Sequence, residues 1–176
     1  MELKTTIADV LELDHSELDE LLRSTMEATD SADAVQTFKH LDRFWARLAM
    51  HIRAEHLRVF PVIRKIATRS AEFREIPELL DVLREDHDFF MRDLARAIKA
   101  MRLVFYFGNE AETFAVVRKL LEGVRERLAI HNRIEEAKVY TLATEELFEP
   151  AAIVDLLSSV RKDLDNYPDR FATGSR

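Results

Sequence analysis

Apolar residues recur every three to four positions along nearly the whole chain, the spacing that lays one stripe along an α-helix. A first helix is predicted over residues 7–28, with Leu11, Leu18, Leu22 and Met26 facing inward. Thr6, with Asp9 three places on, opens it as a capping box in which Asp stands for Glu. Short polar side chains at 29–33 suit a turn, because they can bond to local backbone. A second helix carries Phe44, Leu48, Ile52 and Val59 inward and fades after Ala67, with a kink or early end expected near Pro61.

A third helix opens at Pro77, where a missing N–H costs little. It presents Leu80, Leu83, Phe90, Leu94, Ile98 and Met101, and Gly108-Asn109 stops it. Asn109 and Glu112 start a fourth, which carries Val117, Leu121, Val124, Leu128, Ile134 and Leu142. Pro150 opens a shorter fifth helix, about 150–165, ending at Asn166-Tyr167-Pro168, and 166–176 reads as a loose tail. The run 103–107 and Trp45 read as core, and Tyr106 and Tyr140 as packing at helix ends. Four long helices with short loops imply an all-α, up-down-up-down antiparallel four-helix bundle with its core in 7–145. The short fifth helix packs across it, giving one domain over 1–165. Its apolar face offers a possible homodimer interface as the alternative.

Composition supports this picture. Three glycines and four prolines in 176 residues compare with roughly twelve and nine at average usage, too few for a turn-dense β architecture. A formal net charge of −7 leaves no basic excess for a nucleic-acid partner or an anionic membrane surface. The chain has no cysteine, which removes disulfide, thiolate and iron–sulfur chemistry. No leader or membrane-spanning pattern is visible, so the expected location is cytoplasmic.

The candidate chemistry lies in six residues. His15, His51, His87 and His131 fall one on each long helix, and Glu55 and Glu135 follow two of them by four residues. A four-residue step returns to the same helix face one turn along. In an antiparallel pair, residues equidistant from the connecting loop lie level. The midpoints of 15 and 51, 51 and 87, and 87 and 131 are 33, 69 and 109, each at a turn placed independently of the histidines. All four histidines therefore meet in one layer, roughly 27 Å from the first two loops, with the glutamates one turn away. Burying two carboxylates without a ligand costs several kcal/mol, which two cations would offset. Four imidazoles and two bridging carboxylates suit non-haem iron, with manganese or zinc less favoured. An internal repeat relates residues 51–60 to 131–140, and Asp14-His15 to Asp86-His87.

Single histidines on helices one and three, alternating with His-x-x-x-Glu on helices two and four, resemble the hemerythrin-like HHE cation-binding domain over about residues 7–145. The resemblance implies a bundle holding two iron ions in an oxo- or hydroxo-bridged di-iron centre. His15, His51, His87 and His131 would be terminal ligands, and Glu55 and Glu135 bridges. The family's oxygen carriers add a histidine where this chain has Met91, and end the fourth-helix motif with an aspartate five residues on. The ligand set is closer to the hemerythrin-like domains of iron–sulfur repair proteins and of iron or oxygen sensors. The former carry a cysteine-bearing segment, so the lack of cysteine weighs against repair, as Met91 weighs against reversible oxygen transport.

The function expected is binding or sensing of dioxygen, nitric oxide or peroxide, or iron handling. A di-iron enzyme reducing peroxide or nitric oxide is one alternative, and a metal-free helical interaction module another. His56, pointing about 100° from Glu55, is expected outside the ligand set or at the surface. His40 is expected near the bundle end, the Glu12-x-x-His15 spacing to be chance, and Met91 to be packing.

Overall fold

The computed structural model describes residues 5–107, 110–143 and 150–166. These are helical almost throughout, without a strand. Helix α1 spans Ile7–Asp30, α2 Ala34–Ala54, α3 Phe60–Ala67, α4 Ile76–Phe107, α5 Glu110–Ile134 and α6 Pro150–Asp165. A π-helical turn, Glu55–Val59, joins α2 to α3, and a second, Glu135–Val139, follows α5 and leads into a 3₁₀ turn at Tyr140–Leu142. None of these helices is long and apolar enough to cross a membrane.

The Thr6 box forms as expected: its hydroxyl accepts from the Asp9 N–H, and the Asp9 carboxylate accepts from the Thr6 N–H at 2.7 Å. Helix α1 continues two residues beyond 28 and closes at Ser31, with Ala32 in the left-handed region (φ 52°). Asp33 then caps α2 by accepting from the Gln36 N–H. The expected kink near Pro61 is a π turn. Pro61 has no N–H to return to the residue 57 carbonyl, and the Phe60 N–H reaches back five residues to Glu55. Thr141 stands at the repeat-equivalent position, yet the same turn forms, with the Tyr140 N–H on the Glu135 carbonyl. Proline is therefore not required for it.

Helix α1 packs on α2 and α5, and α4 on α5 and α2, so the four long helices surround a common interior. That interior has two apolar clusters. One contains Leu18, Phe44, Leu48, Phe90, Leu94 and Leu128. The other contains Leu11, Val59, Phe60, Leu83, Val139 and Val160. On every long helix the six expected ligands fall between a residue of one cluster and a residue of the other. The polar layer is thus bounded by hydrocarbon on both sides, where unpaired charge is costly. Helix α6 packs on α1, α2 and the first π turn, so its apolar face is used within the chain.

The hairpin tip of α4 departs from expectation. Leu103, Tyr106 and Phe107 are exposed, the last two at 79%, and among the described side chains of the run only Val104 is buried. Geometry explains this. His15 and His51 are 36 residues apart but His87 and His131 are 44, so the second hairpin projects four residues, about 6 Å, farther. Nothing from the first hairpin is level with that tip. Trp45 is half-buried at the edge of a cluster rather than inside it. The expected stop at Gly108-Asn109 and the loose tail beyond 166 lie outside the described residues.

Candidate metal centre

The structure brings all six sequence-predicted residues together. Glu55, His87, His131 and Glu135 form one group of converging donor atoms, and His15, His51 and Glu135 another, each with its atoms within 4.8 Å of one another. All six are buried, the two glutamates completely. Glu135 belongs to both groups: Oε1 lies 3.1 Å from His131 Nε2, and Oε2 lies 3.4 Å from His15 Nε2. Glu55 Oε2 lies 3.6 Å from His51 Nε2 and 3.2 Å from His87 Nε2, so it too reaches both histidine pairs.

Each histidine presents Nε2 inward because its Nδ1 is held from outside. His51 Nδ1 bonds Asp14 at 2.9 Å, and His131 Nδ1 bonds Asp86 at 3.1 Å. The free oxygen of Asp14 is held by Arg47, and that of Asp86 by Arg127. His15 Nδ1 bonds Glu136 at 2.8 Å, and His87 Nδ1 bonds His56 at 2.8 Å. Such partners fix ring orientation and tautomer, leaving the inner nitrogen as a donor to metal.

The inner atoms are short of protons. With the Nδ1 protons directed outward, the facing Nε2 pairs, 3.2 Å for His15 and His51 and 2.9 Å for His87 and His131, oppose lone pairs. Glu55 Oε2 and Glu135 Oε1 are buried without a hydrogen-bond donor. Two nitrogens bound to one ion at about 2.1 Å and a right angle would lie about 3 Å apart, matching these spacings. The residues therefore fit metal ions.

The neighbouring carboxylates also favour a proton on two of these imidazoles. Burial would push His51 down, but Glu55 and Asp14 outweigh it and hold it well above its ordinary value. His131 is likewise raised against burial, by Glu135, Glu55 and Asp86. Glu55 is held well below the carboxylate range because His51 and His87 outweigh the opposing effect of burial. His56 is pushed down to about 4 by burial, His87 and Arg84, which suits a neutral ring accepting from His87.

Tyr140 corrects the sequence reading most sharply. It is 1% exposed, and its hydroxyl lies 2.7 Å from Glu55 Oε1 and 3.2 Å from both Glu135 Oε2 and His15 Nε2. It belongs to the centre, not to helix-end packing. Tyr106, the other tyrosine expected to pack, is at the exposed tip. Asp14, Asp86, Glu136, Arg47 and Arg127 were also not assigned a role from sequence. Their signal was the repeat: 47 and 127, 56 and 136, and 60 and 140 share the 80-residue offset of the His-x-x-x-Glu pairs. His40 is in neither donor group, Glu12 is exposed, and Met91 packs at the edge of the core.

A helical bundle enclosing a buried layer of imidazoles and carboxylates defines a cation-binding domain. The particular family follows from comparison with known proteins: the model of the hemerythrin HHE cation-binding domain matches residues 6–143, and the chain belongs to that family. No curated protein and no solved structure matches the chain.

Proposed function

We propose that this chain is a non-haem di-iron protein of hemerythrin-like type, cytoplasmic, that binds or senses dioxygen, nitric oxide or peroxide. The observation carrying this reading is the proton-poor layer: two buried carboxylates with donor-less oxygens between two pairs of opposed imidazole nitrogens. The reading takes the four long helices as an up-down-up-down antiparallel bundle. One iron would be held by His15, His51 and Glu135, and the other by His87, His131, Glu55 and Glu135. Iron would supply ligand binding and one-electron exchange. The protein's residues would hold the imidazoles in one tautomer, through Asp14, Asp86, Glu136 and His56, and would exclude bulk water.

Burial of the donors favours a small ligand. Glu55 and Glu135 are 0% exposed and His87 is 1% exposed, so a ligand of two or three atoms could reach them through side-chain motion alone. The net charge of −7 leaves no overall basic excess, which speaks against a nucleic-acid partner. The reading is tested by metal analysis and thermal melting of tag-free protein after anaerobic ferrous loading. Two irons per chain and a melting temperature that falls on chelation are expected, because site formation couples metal binding to folding. A chain that binds no metal, with melting unaffected by chelator, would instead be a helical interaction module.

A further inference from the structure

Resting on the di-metal reading, we infer that the Tyr140 phenol oxygen is a ligand of the metal held by His15 and His51, with no counterpart at the other metal. The two donor groups are unequal. Among the described residues, one group has four members, Glu55, His87, His131 and Glu135, and the other three, His15, His51 and Glu135. Glu55 is the member that the second group lacks, and its Oε1 accepts from the Tyr140 hydroxyl at 2.7 Å.

The surroundings of that hydroxyl are those of a ligand rather than of a hydrogen-bonded core tyrosine. Three electron-rich atoms approach it: Glu55 Oε1, Glu135 Oε2 and His15 Nε2. A phenol has one proton and can satisfy one of them. Two of the three, Glu135 Oε2 and His15 Nε2, are themselves donors of the three-membered group, each 3.2 Å from the phenol oxygen. That is the separation of neighbouring ligands around one ion with bonds of about 2.1 Å. A cation placed there takes four donors in each group.

The repeat supplies an internal control. Phe60 stands at the position equivalent to Tyr140, and its ring lies almost parallel to that of His87, with centroids 5.9 Å apart. The Tyr140 ring tilts over His15 in the corresponding place, with centroids 5.6 Å apart. The two rings occupy matching sites and differ by one oxygen, so only one half of the centre gains a phenolic donor. Forming the metal–oxygen bond breaks the O–H bond and releases its proton to solvent, with no change in oxidation state.

The test is the visible spectrum of the full chain loaded with ferric iron. A phenolate on ferric iron gives a broad charge-transfer band, and resonance Raman excited within it shows tyrosine ring modes. Both are expected in the wild type, the modes shifting with ring-deuterated tyrosine. Tyr140→Phe, which installs the residue already present at position 60, should lose band and modes, whereas Tyr106→Phe keeps them. Two irons per chain with no band in the wild type, or a band persisting in Tyr140→Phe, overturns the inference and leaves the di-iron reading standing. A chain that takes up no iron overturns both.

Discussion

His51 and His131 are supported alike, each by an aspartate from the neighbouring helix that is held in turn by an arginine. His15 and His87 are not. The first leans on a carboxylate, Glu136, and faces a phenol, whereas the second leans on an imidazole, His56, and faces a phenyl ring. Matching positions orient the rings, and divergent positions set the charge around each pair. The His15 side gathers a carboxylate and a phenol, while the His87 side is neutral at both places. On the di-metal reading, duplicated scaffolding with unequal surroundings would let two metals be held by one plan and tuned separately.

The sharpest break in that comparison is Glu135→Ala, which takes a donor from both groups. Iron content should fall from two per chain to essentially none, whereas His131→Ala, confined to one group, should leave one iron. Metal analysis of the purified variants decides this, and two irons retained in Glu135→Ala would contradict a shared carboxylate. Next come Asp14→Ala and Asp86→Ala, each expected to weaken iron binding about 10–100-fold by freeing a ligand ring. Competition against a chromophoric chelator should place Asp14→Ala at the upper end. Its Arg47 partner is 17% exposed, against 42% for the Arg127 partner of Asp86.

Proton competition is smaller. His51 and His131 are held above their ordinary value of 6.5, so near neutral pH a proton competes with metal for each. Affinity should rise with pH above that value, by up to about tenfold per unit for each proton displaced, and should level off beyond the raised value. An affinity indifferent to pH would show that those nitrogens carry no proton to displace. The least effect is expected from the outer arginines. Arg47→Gln should cost more stability in urea than Arg127→Gln, whose greater exposure screens its pair to within about 1 kcal/mol. The reverse order would place the stronger support on the other half.

Helix identity was legible from local periodicity, and the ligand layer from that periodicity together with equal distances to the turns. His51 and Glu55 share a face by spacing alone, and Leu48 marks that face as buried. The π turns were not legible, since Thr141 carries no signal that its helix must widen where Pro61 does. Tyr140 was hidden for the same reason. Past a π turn the phase of the helix shifts by one residue, so a position read as helix-end packing is carried into the centre. The run 103–107 misled differently. Its apolar pattern is helical, but burial depends on what stands opposite, and hairpin length decides that.

The overhang of the longer hairpin separates two kinds of evolutionary freedom. Phe107 lies twenty residues beyond His87 on α4, about 30 Å along the axis, with the packed side chains of Phe90, Leu94, Ile98 and Met101 between them. A change at the tip meets solvent first and must pass through several close-packed layers before it could displace a donor atom. The tip can therefore be rewritten, lengthened or fused to a reporter while the donor layer keeps its geometry, a division between chassis and instrument in a single helix.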